Sequence, residues 1–465
     1  MNFYLMATGL ATLVVVIWLR ERVLYVVFPW AYVQNFILAW MYTSGLAGRE
    51  LCQALLISKE FLLLWLFFYY LPRLGLCFRG SWPLPVRILL FFTVWCVVRY
   101  MAAVFFQGDS LFGNLWDLRI VCFPFEILVV GVGVVSAKPD FTRGFIRKMV
   151  FIVVGLALVG ILLDVLPGAW FWRDHVNFST YNLYVKGRSI EGDTAPSDVL
   201  AEAEGIGTNG LGRTGFAFLS LFRAFGTIGD AVGFGHFVAF PVLLLAFWLR
   251  RNWKTHLMLA ITAGALFLSL TRSAWIFVLM GFVYVMIRWR RYRPLVALGA
   301  IAVTGIVLWA PMAHWYSASL AGISWTGSSE DPHAQGFVWL YKQGLWQFEN
   351  LLGQGPAADI PEGGYGRLLI RYGWPALASF AWFCVSLYRK LRQGPFSGKP
   401  LSLLSQAVPL AFLITLNFSI YPFSFIPYLL VWFTVGACLA ATAVPSRGGM
   451  AASNKLFASL LGTQA

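Results

Sequence analysis

Long apolar runs recur along this chain and constrain its fold more than any other feature. Each run covers about 17–22 residues, the length that an α-helix needs to cross the hydrocarbon core of a bilayer. Hydrophobic residues make up 59% of the 465 residues and charged residues only 12%, whereas soluble chains carry roughly a quarter charged residues. We therefore predict an all-α polytopic membrane protein. The predicted spans lie near residues 3–19, 23–41, 59–76, 84–106, 119–136, 147–166, 231–249, 255–270, 274–289, 294–311, 371–388, 402–419 and 424–443.

The first two spans are the hardest to assign. Only Arg20-Glu21-Arg22 separates them, and Pro29 interrupts the second. Either both spans cross the membrane, or one of them lies at the membrane interface. The expected total is about 12–13 transmembrane helices. No cleavable signal peptide is expected, because no basic residue precedes the first span and no small-residue cleavage site follows it. The predicted regions are N-terminal helices (1–166), a first long outer segment (167–230), central helices (231–311), a second long outer loop with partial helices (312–370) and C-terminal helices (371–465).

Basic residues are distributed unevenly over the two sides of this topology. One side holds 22 of the 35 Lys and Arg residues and only two of the 20 Asp and Glu residues. By the positive-inside rule, that side is cytoplasmic. The formal net charge of +15 thus reflects topology, and we predict no nucleic-acid partner. The segments on the basic side are 20–22, 73–87, 138–148, 250–254, 288–293, 389–399 and 447–455.

The two long outer segments are rich in Trp, Tyr, Asn, Gly and acidic residues. Aromatic faces combined with short polar side chains suit carbohydrate binding, and the candidate glycan contacts are Trp339, Trp346 and Tyr365. The alternative is an aromatic belt at the membrane interface with ordinary loops. The sequence alone leaves both interpretations open.

The stretch GQGPAADIPEGGYGRLLIRYGWP (353–375) lies between two very apolar regions. Its glycines and prolines predict a loop, and from about Tyr365 it predicts a helix that continues into the apolar residues 376–387. Arg367 and Arg371 are four apart and would share one face at the positive end of that helix, which suits a phosphate or pyrophosphate. The alternative is a pair of interfacial arginines that reach towards lipid headgroups.

Two further arginines, Arg223 and Arg272, lie at predicted outer ends of spans. Asp230 and His236 follow Arg223 in the sequence, and these two residues are separated by about two helical turns. A lone histidine in such a span is either a hydrogen-bonded core residue or a base.

A few charged residues fall inside or beside the apolar spans. Arg99, Glu126 and Asp164 are expensive to bury, which predicts pairing or function. Lys59 and Glu60 would lie at an outer boundary and pair with each other or with neighbours.

Motifs of hydrolases, zinc proteases and nucleotide-binding loops do not occur in the sequence. The acidic cluster at 330–333 with its single histidine is typical of a solvated loop. We therefore predict neither a metal site nor a cofactor.

Three blocks, taken in order, resemble the O-antigen ligase and polysaccharide polymerase (Wzy-type) superfamily. They are FRAFGTIGDAVGFGHF (222–237), LSLTRSAWIFVLMGFVYV (268–285) and LLGQGPAADIPEGGYGRLLIRYGWPAL (351–377). The resemblance covers residues 215–390 in detail and the remainder only in topology.

This resemblance implies a multi-pass glycosyltransferase of the C-type fold in the bacterial inner membrane, with its active site facing the periplasm. It implies a polyprenyl-pyrophosphate-linked oligosaccharide as substrate, and a chain-length-regulating copolymerase and a flippase as further partners. Arginines of the family hold the pyrophosphate, and Arg223, Arg272 and Arg367 or Arg371 occupy matching places.

One departure separates the branches of that superfamily. Where the ligase branch carries a His-Asn pair, about ten residues before the position of Gly373, this chain has Gly363-Gly364. That difference favours a repeat-unit polymerase over a ligase, with a lipid-linked oligosaccharide transporter as the third hypothesis. It also leaves the general base unassigned, and the candidates in order are Glu362, Asp359, Asp230 and His236.

Overall fold

The computed structural model describes most of the apolar regions of the chain and does not describe several polar segments. The described residues are 2–78, 82–107, 115–165, 231–250, 252–269, 271–291, 347–355, 364–417 and 421–443, together with four single residues at 176, 181, 185 and 293. Within them every regular element is helical.

Twelve α-helices lie in the described part of the chain, and each corresponds to a span predicted from the sequence. They are α1 (Asn2–Leu19), α2 (Leu24–Thr43), α3 (Arg49–Cys77), α4 (Leu84–Ala102), α5 (Leu115–Ala137), α6 (Pro139–Val165), α7 (Ala231–Phe247), α8 (Trp253–Ser269), α9 (Arg272–Arg288), α10 (Gly364–Gln393), α11 (Pro400–Thr415) and α12 (Phe425–Ala441). The predicted span at 294–311 lies outside the described residues, as does most of both long outer segments.

Five helical stretches are long and apolar enough to cross a membrane, one of them running past the end of α4, and four shorter helices are also apolar. The prediction of a helical membrane protein is therefore confirmed, and a lipid bilayer is its environment. The number of crossings and their orientation remain predictions. The five long stretches are Arg49–Cys77, Leu84–Phe106, Leu118–Ala137, Pro139–Leu163 and Gly364–Gln393.

Helices α5 and α12 cross in close backbone contact near the centre of the bundle. A Cβ atom added at Gly131 of α5 would strike the carbonyl of Phe433, and one added at Gly436 of α12 would strike the carbonyl of Leu128. Small residues let helices approach in this way where lipid supplies no hydrophobic force between them. This crossing fixes α12 inside the bundle, where nearly all its residues are buried.

The turn between α1 and α2 is joined to the turn between α5 and α6 by an ion pair of Lys138 with Glu21. Burial of the Glu21 carboxyl acts to raise its pKa, but the hydrogen bond and the charge of Lys138 act against it, and the pKa lies below its ordinary value. The ion pair holds the two turns together at the basic end of the bundle.

Candidate functional site

The segment 351–355 crosses α10 at a kink and is bound to it through backbone hydrogen bonds. The amides of Gln354 and Gly355 donate to the carbonyls of Ile370 (2.5 Å) and Arg371 (3.2 Å). In return, the amide of Trp374 donates to the carbonyl of Leu351 (3.2 Å). Residues 351–355 are thus held directly against residues 370–374.

The kink explains why these carbonyls need new donors. Gly373 has φ 80° and ψ −178°, which breaks the helical path, and Pro375 has no N–H to donate to the carbonyl of Arg371. The amide of Trp374 is turned away from Ile370, its partner in a regular helix. A backbone group left unpaired in a membrane interior costs several kcal/mol, so the crossing segment supplies what the helix lacks.

Two glycines make this close crossing possible. Gly353 and Gly373 have φ of 86° and 80°, a region that side chains rarely adopt. A Cβ atom at Gly373 would lie 2.5 Å from the carbonyl carbon of Leu352 and 2.7 Å from the amide nitrogen of Gly353. Each glycine is therefore required both by its backbone angle and by the backbone packed against it.

Helix α4 completes the crossing with two side chains that lie one turn apart. Trp95 donates its indole N–H to the carbonyl of Tyr372 (2.7 Å), and Arg99 donates from Nη2 to the carbonyl of Gly353 (2.5 Å). The buried charge that the sequence marked at Arg99 therefore has a partner, because it is bonded to the crossing segment.

The helix predicted from about Tyr365 is confirmed, since α10 begins at Gly364. Arg367 and Arg371 are both half-buried and lie on the regular part of α10 that precedes the kink, so they share a face. The amides of Gly364 and Tyr365 both donate to the carbonyl of Leu416 (2.9 and 3.2 Å). Those two amides are thus satisfied within the protein and are not free to bind an anion.

Tyr365 itself is half-buried, and its hydroxyl donates to the carbonyl of Leu413 on α11. The phenol oxygen therefore anchors α10 to α11.

His236 is buried in a chain of three polar side chains from three helices. Its Nε2 lies 2.8 Å from Ser273 Oγ on α9, and its Nδ1 lies 2.7 Å from Tyr428 Oη on α12. The imidazole is only 1% exposed. Both ring nitrogens have a hydroxyl partner, which is the arrangement of a hydrogen-bonded core histidine and leaves neither nitrogen for a substrate proton. Ser273 directly follows Arg272, so this chain holds the start of α9 in place.

A network of charged side chains joins α3 to α5. Lys59 is fully buried and donates to Gln34 Oε1 on α2 (2.5 Å), while its Nζ lies 3.5 Å from Glu60 Oε1. Arg119 Nε lies 2.9 Å from Glu60 Oε2. The predicted pairing of Lys59 with Glu60 is confirmed, and Glu126 lies two turns beyond Arg119 on the same helix.

The first turn of α12 connects these groups. The Phe425 ring lies 4.8 Å from Arg119 Cζ and 5.7 Å from Lys59 Nζ, and Tyr428 one turn later bonds His236. Phe423, just before α12, packs on Phe380 of α10 with ring centroids 4.6 Å apart. The His236 chain and the network of Lys59, Glu60 and Arg119 therefore meet around the first turn of α12, at the end of the bundle that the predicted topology places outside.

Other predicted site residues cannot be located. Arg272 begins α9, but its side chain is not described. The remaining candidates that lie outside the described residues are Arg223, Asp230, Trp339, Trp346, Asp359 and Glu362. Within the described residues, no three His, Cys, Asp or Glu side chains lie close enough to hold a metal ion.

Sequence reasoning missed several members of this cluster. Ser273 in the first turn of α9 bonds His236, and Thr271 at the N-cap makes no side-chain capping bond. Tyr428 and Arg119 carried no local signal, because their partners lie far away along the chain. The one available hint was the cost of burying a charge such as Lys59.

A comparison with known protein families and with curated proteins found no match to this chain.

The crossing predicts a large loss of stability for Gly373→Ala. The new Cβ would meet the backbone of Leu352 and Gly353 in a strained conformation, which should destabilise the protein by about 2–4 kcal/mol. The measurement is the apparent melting temperature in detergent. The control is Gly155→Ala on exposed α6 surface, where nothing lies within 4 Å and stability should be unchanged or slightly raised. Equal melting temperatures for the two variants would contradict the crossing.

The His236 chain predicts that Tyr428→Phe destabilises the protein by about 1–3 kcal/mol, because it leaves a buried ring nitrogen without its partner. Combination with Ser273→Ala should give a non-additive loss, since both hydroxyls bond one imidazole. Thermal unfolding measures both effects. Tyr25→Phe on a half-buried ring is the matched control. If Tyr428→Phe lowers stability no more than Tyr25→Phe does, the hydroxyl of Tyr428 contributes nothing.

Proposed function

We propose that this protein polymerises polyprenyl-pyrophosphate-linked oligosaccharide repeat units, transferring the growing glycan to the next lipid-linked unit at the periplasmic face of the bacterial inner membrane. The observation that carries the proposal is the crossing at Gly353 and Gly373, which fixes the helix turn bearing Arg367 and Arg371. The resemblance of the three sequence blocks to polymerases and ligases of surface polysaccharides supplies the substrate class.

The geometry supports an anion site better than a pair of freely placed interfacial arginines. Interfacial arginines need only reach the headgroup region, so they require no special backbone. Here the carbonyls of Ile370 and Arg371 accept hydrogen bonds from amides of the segment 351–355, and Arg99 donates to a carbonyl of that same segment. A guanidinium on a rigid backbone can hold a pyrophosphate in one geometry.

The proposed reaction breaks the bond between the anomeric carbon and a pyrophosphate oxygen. A hydroxyl oxygen of the acceptor unit forms the new glycosidic bond, its proton passes to a carboxylate, and polyprenyl pyrophosphate leaves with the bonding electrons. Fixed guanidinium groups stabilise the negative charge that develops on the leaving group. This assigns Arg367 and Arg371, with Arg223 and Arg272, to the pyrophosphate.

The proton acceptor in this proposal is a carboxylate, with Glu362 first, then Asp359 and Asp230. His236 is a positioning residue, because it is buried and both its ring nitrogens are engaged. Through its contact with Ser273 it supports the first turn of α9, in which Arg272 is the neighbouring residue.

Substitution of each of the four arginines by Ala and by Lys tests the pyrophosphate assignment. Loss of one fixed donor should lower the polymerisation rate by about 100-fold or more, and Lys should fail to restore it wherever the guanidinium binds two oxygens. The measurement is the length distribution of the polysaccharide on a gel, at matched amounts of folded protein.

Arg147→Ala on the basic end of α6 is the control, and it should give full-length chains. If all eight arginine variants fold and still give full-length chains, the assignment to the pyrophosphate is wrong.

The charged network of Lys59, Glu60 and Arg119 favours one alternative from another class, a transporter of the lipid-linked oligosaccharide. Buried ionisable residues of this kind mark ion or substrate pathways in transporters. Reconstituted protein given lipid-linked units from the outer side alone separates the two functions. Polymerisation predicts a ladder of products, whereas a pure transporter would leave the added units unchanged.

A further inference from the structure

A cleft opens at the basic end of the bundle, opposite the candidate functional site. It has a volume of about 960 Å³ and lies between the end of α3, the start of α4, the last turns of α10 and the residues that follow α12. Its lining includes Cys77, Trp82, Leu84, Arg87, Leu90 and Lys390.

Two cations face this cleft from different helices. Arg87 of α4 is exposed and Lys390 of α10 is half-buried. Neither forms an ion pair with a carboxylate in the described part of the chain. The same end of the bundle offers a contrast, because Lys138 is paired there with Glu21. Among the described residues, the cleft therefore presents positive charge that no carboxylate pairs with.

The remaining walls are apolar or amphipathic. Leu84 is 44% exposed and begins an exposed apolar face of α4 that continues through Phe91 and Val94, whereas Leu90 is partly buried against the core. Trp82 is half-buried at the level of the helix ends, where an indole ring commonly lies among lipid headgroups. Charge at the mouth and apolar surface along the adjoining helix match the two parts of a phospholipid.

We propose that this cleft binds an anionic phospholipid, with its phosphate held by Arg87 and Lys390 and its acyl chains lying along α4. The positive-inside rule predicts this end to be cytoplasmic, and the cytoplasmic leaflet is where anionic lipids give the surface a negative potential. Basic pockets between transmembrane helices on that side suit such headgroups. The site does not depend on the function proposed for the outer end.

Thermal unfolding in a zwitterionic detergent tests the site with three lipids and one free anion. Cardiolipin and phosphatidylglycerol should raise the apparent melting temperature by roughly 2–5 °C, and phosphatidylcholine should not. The rise should disappear in the variant carrying Arg87→Gln and Lys390→Gln. It should persist in the variant carrying Arg147→Gln and Lys148→Gln, which removes the same charge from an exposed part of α6 at the same end.

Three outcomes would overturn the proposal. One is an equal rise with phosphatidylcholine, which would show detergent exchange and no recognition of charge. Another is an equal rise with inorganic phosphate, which would show an anion site without a lipid. The third is an equal loss in both double variants, which would assign the effect to overall charge.

Labelling of Cys77 locates the lipid independently of stability. Cys77 is a free, half-buried cysteine in the lining of the cleft. Bound anionic lipid should slow the modification of Cys77 by a maleimide, as measured by mass spectrometry of the labelled peptide. The modification rate of Cys122, a half-buried cysteine outside the cleft, should stay unchanged and serves as the reference. Unchanged labelling of Cys77 at a lipid concentration that raises the melting temperature would place the lipid elsewhere.

Discussion

The hydrogen bonds between the segment 351–355 and the kink of α10 are the interaction on which the candidate site depends. A membrane offers no water to a broken helix, so each freed carbonyl must find a donor within the protein. Backbone amides and the Trp95 indole fill that need here, and Arg99 fixes the segment that provides the amides. An irregular backbone that is fully bonded in this way is rigid. Rigidity is what an arginine on that backbone needs to hold a pyrophosphate.

The start of α12 has the same role for the other polar groups. Phe425 covers the guanidinium of Arg119, and Tyr428 one turn later bonds His236. The close crossing of α12 with α5 at Gly436 and Gly131 holds this turn in position. Polar chemistry at this end of the bundle is therefore built on a buried apolar helix, and each hydroxyl, imidazole and guanidinium in it reaches a neighbour on another helix.

Much of the fold followed from the sequence, because helices that face lipid are encoded locally. The apolar runs predicted all twelve described helices, and the four-residue spacing of Arg367 and Arg371 placed them on one face. The pairing of Lys59 with Glu60 followed from the cost of an isolated charge. The contacts of Arg99 with Gly353 and of His236 with Tyr428 could not be predicted, since they join residues 254 and 192 positions apart. Gly373 fell inside the helix predicted from about Tyr365, and its positive φ, which kinks that helix, could not be read from the sequence.

The two ends of the bundle treat positive charge in opposite ways. At the predicted outer end, Arg99 is bonded to a carbonyl and Arg119 to a carboxylate, and both are shielded by aromatic rings or backbone. At the basic end, Arg87 and Lys390 line an open cleft without a described carboxylate partner. Charges that are built into packed structure resist salt and hold geometry, whereas open charges attract ligands from the adjoining surface. The first arrangement is the one that the proposed catalysis on a lipid-linked substrate needs, and the second is the one that the proposed phospholipid site needs.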